Sequence, residues 1–366
     1  MGLDPHLGGM KVDITSTISD KDVLKRLVSD LEDYEGTPIY CGMDTETTMK
    51  SAEDVGLEDV FIQGSPAYII KKGSKLYPQK LPFLFSFAAL HPTTYKTISG
   101  AFIIDKEVSP DIQKLIDLTI PVIHNLKFDR WELANIGITM HKNFFDTAIL
   151  AKLVRPFNKN NSLDSLSKLF NLATKKLDYF KSGNRALPKS GDYHDYYLHA
   201  PDKMLEYAKV DSEAALLLFF ELIKEVKALG IKQDVLLNMR TLDMLFRMER
   251  RGLRLDIDKI KGDRKVLNDL KTRILLSGVL PEGFNYNSPD QRKKFVRQYD
   301  YGKHIWKTDS GGDSTDGEAL KAIHDIIDDE YGKAAIKTIV RLQKIDKLKS
   351  TFIDGLLELE QNGRIS

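Results

Sequence analysis

Five residues, Ile39–Met43, form a mostly apolar run that ends abruptly at Asp44. A run that short reads as a buried β-strand with a polar exit. Phe83–Leu90 and Ala101–Ile104 read as the next two strands, Pro121–His124 as another, and Phe144–Phe145 as the end of one more. Helical patterns fall at Asp20–Asp33, Asp111–Leu118, Phe128–Ile136 and Thr147–Leu153. Strands come first and then alternate with helices, which predicts an α/β layered domain with a mixed sheet.

The chain has 366 residues, long enough for about two domains. Its character changes after Gly230. Residues 202–228 form a strong helix candidate behind Pro201, and helical patterns then dominate at 234–250, 256–276, 317–328 and 330–357. Gly252 stands where a helix C-cap would, and Asn287–Gln291 and Ser314–Asp316 look like capped helix starts. The expected division is therefore 10–229 for the α/β domain and 230–366 for a mostly helical region, with residues 1–9 set apart as a candidate leader before Met10. Residues 49–80 read as a surface insertion, and 182–201, rich in Gly, Pro, Tyr and His, as a flexible loop.

No apolar run reaches the ~18 residues of a membrane span, and the start carries no signal-peptide pattern. A single cysteine, Cys41, excludes an internal disulfide and fits a reducing compartment. Net charge is +1, so composition does not announce a nucleic-acid binder. The balance does shift, with a surplus of about three acids over residues 1–220 and of about four bases over 221–366.

Seven D-x-E triplets occur in the chain, and only Asp44-Thr45-Glu46 directly follows the apolar run. Strand alternation puts Asp44 and Glu46 on one side. Two carboxylates there repel unless neutralised, and a divalent cation with oxygen ligands would do it. Asn125 and Asp129 are four apart where Val122-Ile123 runs into a helix, so a helical turn would face them alike. Read alone, they are an N-cap and a first-turn acid. Tyr207 and Asp211 are again four apart, within the 202–228 helix.

D-x-E on a first strand, N-x-x-x-D at a strand-to-helix turn and Y-x-x-x-D on a late helix resemble, in that order, the DEDDy group of 3′→5′ exonucleases. Phe145-Asp146-Thr147 and Ser162-Leu163-Asp164-Ser165-Leu166 are similar to further elements of that group. In the second half, Met248–Asp256 resembles the M-E-x-x-G-x-x-x-D signature of family A DNA polymerases, the bacterial DNA polymerase I group. Asn287–Gln291, Ser314–Asp316, Lys347–Phe352 and Asn362–Ile365 look like their N-S-x-x-Q, S-T-x, K-L-K-S-T-Y and G-R-I-H elements. The resemblance covers roughly residues 37–366 and ends where the palm would begin, and the polymerase carboxylate motifs are missing. It implies a ribonuclease H-like exonuclease domain followed by a thumb region, either truncated or one piece of a split polymerase, with no DNA synthesis expected from this chain alone.

The implied reaction is proofreading hydrolysis of a phosphodiester at a single-stranded DNA 3′ end. Four carboxylates, Asp44, Glu46, Asp129 and Asp211, would hold two Mg²⁺ ions about 3.5–4 Å apart, with Mn²⁺ able to substitute. In the family pattern Asp44 bridges both ions, Glu46 and Asp211 complete the nucleophile side, and Asp129 acts mainly through the second ion's shell. Tyr207 and Glu46 orient the attacking water. Thr45, Thr47, Asn125 and Phe128 are candidates for the terminal nucleotide. Lys347, Lys349, Ser350 and Thr351 are candidates for gripping the phosphates of primer-template duplex. A second polypeptide supplying palm and fingers is the expected partner, covering apolar surface at Phe352, Ile353 and Leu356. The family's distribution implies a bacterial or phage-infected cytoplasm. An RNA-processing exonuclease and an inert DNA-holding subunit are the alternatives.

Overall fold

The computed structural model describes residues 19–60, 70–72, 75–77, 80–140, 143–172, 188, 191–300, 307, 311–360 and 362–365. The expected leader, and parts of the 49–80 and 182–201 segments, lie outside the described residues. Helix α1 (Asp20–Glu32) is capped by the Ser19 hydroxyl. Strand β1 (Ile39–Thr48) runs straight through the acidic triplet instead of stopping at Met43. After it come a short helix α2 (Ala52–Val55), a hairpin of β2 (Ile70–Lys72) and β3 (Lys75–Tyr77), then β4 (Leu81–Leu90) and β5 (Thr97–Ile103). Helix α3 (Ser109–Leu118), β6 (Thr119–Ile123), α4 (Leu126–Asn135), β7 (Phe145–Asp146), α5 (Thr147–Val154) and α6 (Leu163–Leu169) follow. The unit closes with α7 (Tyr193–His199), α8 (Pro201–Leu229) and α9 (Lys232–Arg251). The stretch expected as a loop at 182–201 thus contains α7, begun by an Asp192 side chain that accepts from the His194 N–H.

The sheet order is β5-β4-β1-β6-β7. β1, β4 and β5 pair antiparallel, and β1, β6 and β7 parallel, so the sheet is mixed. β4 pairs with β1 as far as Thr48, which explains why the strand continues past the acids. β6 pairs with β1 only as far as Gly42. Beyond Gly42 that side of β1 is open, and the carboxyl end of a central strand is where α/β sheets place ligands.

Helix α8 lies against β1 with no room for a side chain at Gly42. A Cβ there would sit 2.1 Å from the Ser212 carbonyl oxygen and 2.9 Å from Leu216 Cβ. Gly42, Asp44 and Glu46 alternate onto one face of β1, so the face that meets α8 is also the face that carries the acids. Ala208, Ala214 and Ala215, all buried, keep the helix slim along this contact. The core beneath is apolar and continuous, from Leu24, Leu27 and Met43 through Phe85, Val122 and Leu150 to Phe219.

The division between compact units falls between Arg251 and Gly252, one helix later than the sequence division at 229/230. Val235, Met239 and Leu242 of α9 belong to the first core, so α9 is part of the α/β unit. The second unit contains β8 (Leu253–Arg254), α10 (Ile257–Leu276), α11 (Pro289–Asp300), α12 (Gly317–Ile326), α13 (Glu330–Leu348), a π-helical turn at Lys349–Asp354, α14 (Gly355–Leu359) and β9 (Arg364–Ile365). Its core joins Tyr286, Phe295, Leu320, Ile323, Ile336 and Ile339. Asp346 ties this unit together, accepting from Lys271, Tyr286 and Asn287 at 2.6, 2.6 and 3.0 Å. The helix expected to run unbroken from 330 to 357 is interrupted by the π-turn, which widens the backbone within the Lys347–Phe352 element.

Candidate active site

Among the described residues, Asp44, Glu46 and Asp211 bring one carboxylate oxygen each within 4.8 Å of one another. The first two come from the open end of β1 and the third from α8, one residue before the Ser212 that touches Gly42. Glu46 and Asp211 are buried, and Asp44 is half-buried. Three close anions of this kind are a donor set for a hard divalent cation, whose charge removes their mutual repulsion. Tyr207 lies one turn before Asp211 on the same helix face. Burial pushes its phenol up, and the negative charges of Asp211 and then Glu46 push it further. At neutral pH it is therefore a protonated hydroxyl.

Asp129 stands outside that group of three, at the start of α4. Its Oδ1 accepts from the Thr45 N–H at 3.0 Å and from the Thr45 hydroxyl at 2.6 Å. It thus occupies the side of β1 that β6 leaves open beyond Gly42. Burial lifts its carboxyl to about 7, against the lowering effect of the two Thr45 bonds. The Thr45 hydroxyl is engaged by Asp129, and Thr47 is buried.

Asn125 does not cap α4. Its backbone is left-handed, φ 68, and its side chain makes no capping bond. Asp146 does the work from the next strand. Its carboxylate accepts from the N–H groups of Asn125 (3.2 Å) and Leu126 (2.9 Å) and also caps α5 through Ala148 and Ile149. The turn that delivers Asp129 is fixed by this one buried side chain. Phe128 is half-buried, with the Lys80 ammonium 5.7 Å from its ring centre.

Helix α9 clamps α4 from behind. Lys127 pairs with Glu249 at 3.0 Å, Arg130 with Asp243 at 2.7 Å, and Arg250 donates to Asn135 at 2.8 Å. The Arg130 guanidinium lies 4.1 Å over the Phe246 ring. Glu249 and Arg250, read in sequence as part of a thumb signature, thus brace the helix that carries Asp129. In the second unit Lys347, Ser350 and Thr351 are exposed and Lys349 half-buried, on the last turn of α13 and the π-turn.

Sequence reasoning passed over Tyr193, Asp192 and Lys80. Tyr193 stacks on Tyr207, with ring centres 6.3 Å apart and planes at 23°. Asp192 is buried and takes Thr48 Oγ1 and Met49 N–H, each at 2.8 Å. The signal was present as an N-cap Asp before Tyr193, but the surrounding Gly, Pro and His suggested a loop.

A mixed five-stranded sheet, with acids at the open end of its central strand and on a covering helix, defines a ribonuclease H-like nuclease domain, here followed by a helical unit. Residues 93–227 match the family model described as 3′-5′ exonuclease, and the relatives similar to the chain are DNA polymerases of phages and bacteria. That match includes Asp129, Tyr207 and Asp211, while Asp44 and Glu46 lie upstream and join them through the fold. The DNA polymerase DpoZ of Salmonella phage PMBT28 is 30% identical over 64% of this chain and 39% of its own length. DNA polymerase I of Synechocystis is 29% identical over 65% of this chain and 23% of its own. The chain therefore spans well under half the length of these curated relatives. The polymerase domain of Pol1 from M. smegmatis, in complex with DNA primer-template and dNTP, shares the fold with a TM-score of 0.59 over 94% of this chain and 50% of its own, at 17% identity.

Proposed function

We propose that this chain is a proofreading-type 3′→5′ exodeoxyribonuclease that hydrolyses the terminal phosphodiester of a single-stranded DNA 3′ end. The convergence of Asp44, Glu46 and Asp211 within 4.8 Å, in a unit matching the exonuclease family, carries the reading. Two divalent ions, Mg²⁺ for preference and Mn²⁺ as a substitute, would supply an activated water and offset charge on the reacting phosphate. Asp44, Glu46 and Asp211 would hold them, and Asp129 would act through the outer shell from its anchored place on Thr45. Tyr207, kept protonated, orients the attacking water by hydrogen bonding rather than by taking its proton. Phe128, with Lys80 beside it, offers a face for the terminal base, and Asn125 an exposed amide next to it.

In the second unit, Lys347, Lys349, Ser350 and Thr351 grip duplex phosphates without reading sequence. Phe352, 55% exposed beside them, is the candidate contact for a second polypeptide.

The test is incubation of the purified chain with 5′-labelled and 3′-labelled single-stranded DNA, with Mg²⁺, with Mn²⁺ or with EDTA. The expected result is release of 3′-terminal mononucleotide and a shrinking 5′-labelled ladder, both lost in EDTA and in the Asp44→Ala, Glu46→Ala double variant. Preference for a matched RNA oligonucleotide would overturn the DNA reading. Absence of shortening with either metal would overturn the enzymatic one.

A further inference from the structure

Tyr193 is held at the acid cluster by a set of contacts that no exonuclease motif in the sequence accounts for. Its helix, α7, is fastened to the far end of β1, the strand that carries Asp44 and Glu46. Asp192 accepts from the Thr48 hydroxyl and the Met49 N–H while capping α7 through the His194 N–H at 2.9 Å. Lys50 pairs with Asp195, and the His194 ring meets Phe83 of β4 edge-on at 5.2 Å. These contacts leave α7 little freedom relative to β1. Its first residue projects to Tyr207, ring against ring, with centres 6.3 Å apart and planes at 23°. Glu46, Asp211 and Asp44 all act on the Tyr193 phenol, so it faces the same three carboxylates as Tyr207 does.

A phenol has one proton to donate and two lone pairs, and its O–H rotates unless a partner fixes it. Tyr207 reaches the cluster from a helix, and only the direction of its hydroxyl decides whether it can hold a water against Glu46. We infer that Tyr193 is a positioning residue for hydrolysis at the acid cluster: stacked on Tyr207, it sets where the Tyr207 hydroxyl points. This rests on the hydrolytic reading of the site.

The test compares the full chain with Tyr193→Phe, Tyr207→Phe and the double variant. Phe keeps each ring and its stacking and removes the hydroxyl alone. Mg²⁺-dependent shortening of 5′-labelled single-stranded DNA is measured as kcat and KM. The chain is also labelled with ¹³C at the tyrosine ring carbon bearing oxygen, and the Tyr207 resonance is assigned by its loss in Tyr207→Phe. The expected result is that Tyr193→Phe lowers kcat by about tenfold with KM within about twofold, as for loss of one neutral hydrogen bond used in the transition state. The double variant should be no slower than Tyr207→Phe, because the two hydroxyls act as one unit. The Tyr207 resonance should shift in Tyr193→Phe. Unchanged kcat in Tyr193→Phe, or additive losses in the double variant, would overturn the proposal. If the wild-type chain hydrolyses nothing, the resonance decides. A shift upholds the phenol pair and locates the failure in the hydrolytic reading, and no shift overturns the pair itself.

Discussion

Glu132 lies on α4 three residues beyond Asp129 and is 1% exposed. Its Oε1 meets no hydrogen-bond partner, and Oε2 is 3.5 Å from the Asn135 amide nitrogen. Burial pushes the carboxyl from an ordinary 4.5 up to about 8. Below the unfolded value both states are protonated and the stability tied to this group is fully present. Between 4.5 and about 8 the unfolded chain releases the proton and the folded chain keeps it, so stability falls as pH rises. Urea unfolding in EDTA should therefore give lower stability at pH 8 than at pH 5. Glu132→Gln should reduce the difference by on the order of a few kcal/mol. A pH slope unchanged in the variant would mean the carboxyl is solvated. Nothing in the sequence singles out Glu132, because its setting includes Arg250 of α9 and Lys80, which are distant along the chain. Asp44 and Glu46 were legible because strand alternation is a local rule. Tyr207 and Asp211 were legible because i,i+4 spacing on a helix is another.

At the scale of elements, the clamp between α4 and α9 holds Asp129 in place. The Arg130 side chain is 7% exposed and that of Asp243 18%, so this is a largely buried ion pair, with Arg247 joining Asp243 from outside. Removing one partner leaves a buried charge uncompensated. Asp243→Ala should cost about 3 kcal/mol or more in urea unfolding. Adding Arg130→Met, which keeps the contact with Phe144 and Phe246 without the charge, should recover much of that loss. A double variant as unstable as Asp243→Ala alone would show that packing, not charge, dominates the clamp. The sequence showed α9 as a helix but not its allegiance, since periodicity reports that a face is apolar and not which core it joins. The same blindness hid α7, where a capping Asp competed with loop-forming neighbours. β1 ran longer than its apolar stretch because pairing with β4 supports polar residues too.

At the scale of the whole chain, two separate cores imply two separately tunable stabilities. A cation bound by Asp44, Glu46 and Asp211 stabilises only the unit that contains them, by about 2.7 kcal/mol at a hundredfold excess over its Kd. In a Trp306→Phe background, fluorescence of the buried Trp131 reports the first unit alone. Its thermal transition should move upward with Mn²⁺ or Mg²⁺, and Asp44→Ala should abolish the shift. An equal shift in that variant would place the bound ion elsewhere. The two-part organisation was visible in the change of pattern after Gly230. The actual boundary between units, at Gly252, was marked only as a helix cap, because a left-handed glycine ends a helix in the same way whether or not a domain ends with it.

Gly42 gives the site a fixed gauge. With the Ser212 carbonyl 2.1 Å from where any Cβ would stand, the spacing between the strand that contributes two acids and the helix that contributes the third is set by an absent side chain. Every substitution at this position, even the smallest, wedges the helix outward, and the displacement is largest for its nearest neighbours, including Asp211. A mutational survey that scored only folding would read Gly42 as a packing position. One that scored cation affinity would find it as intolerant of change as the carboxylates, although it touches no ligand at all.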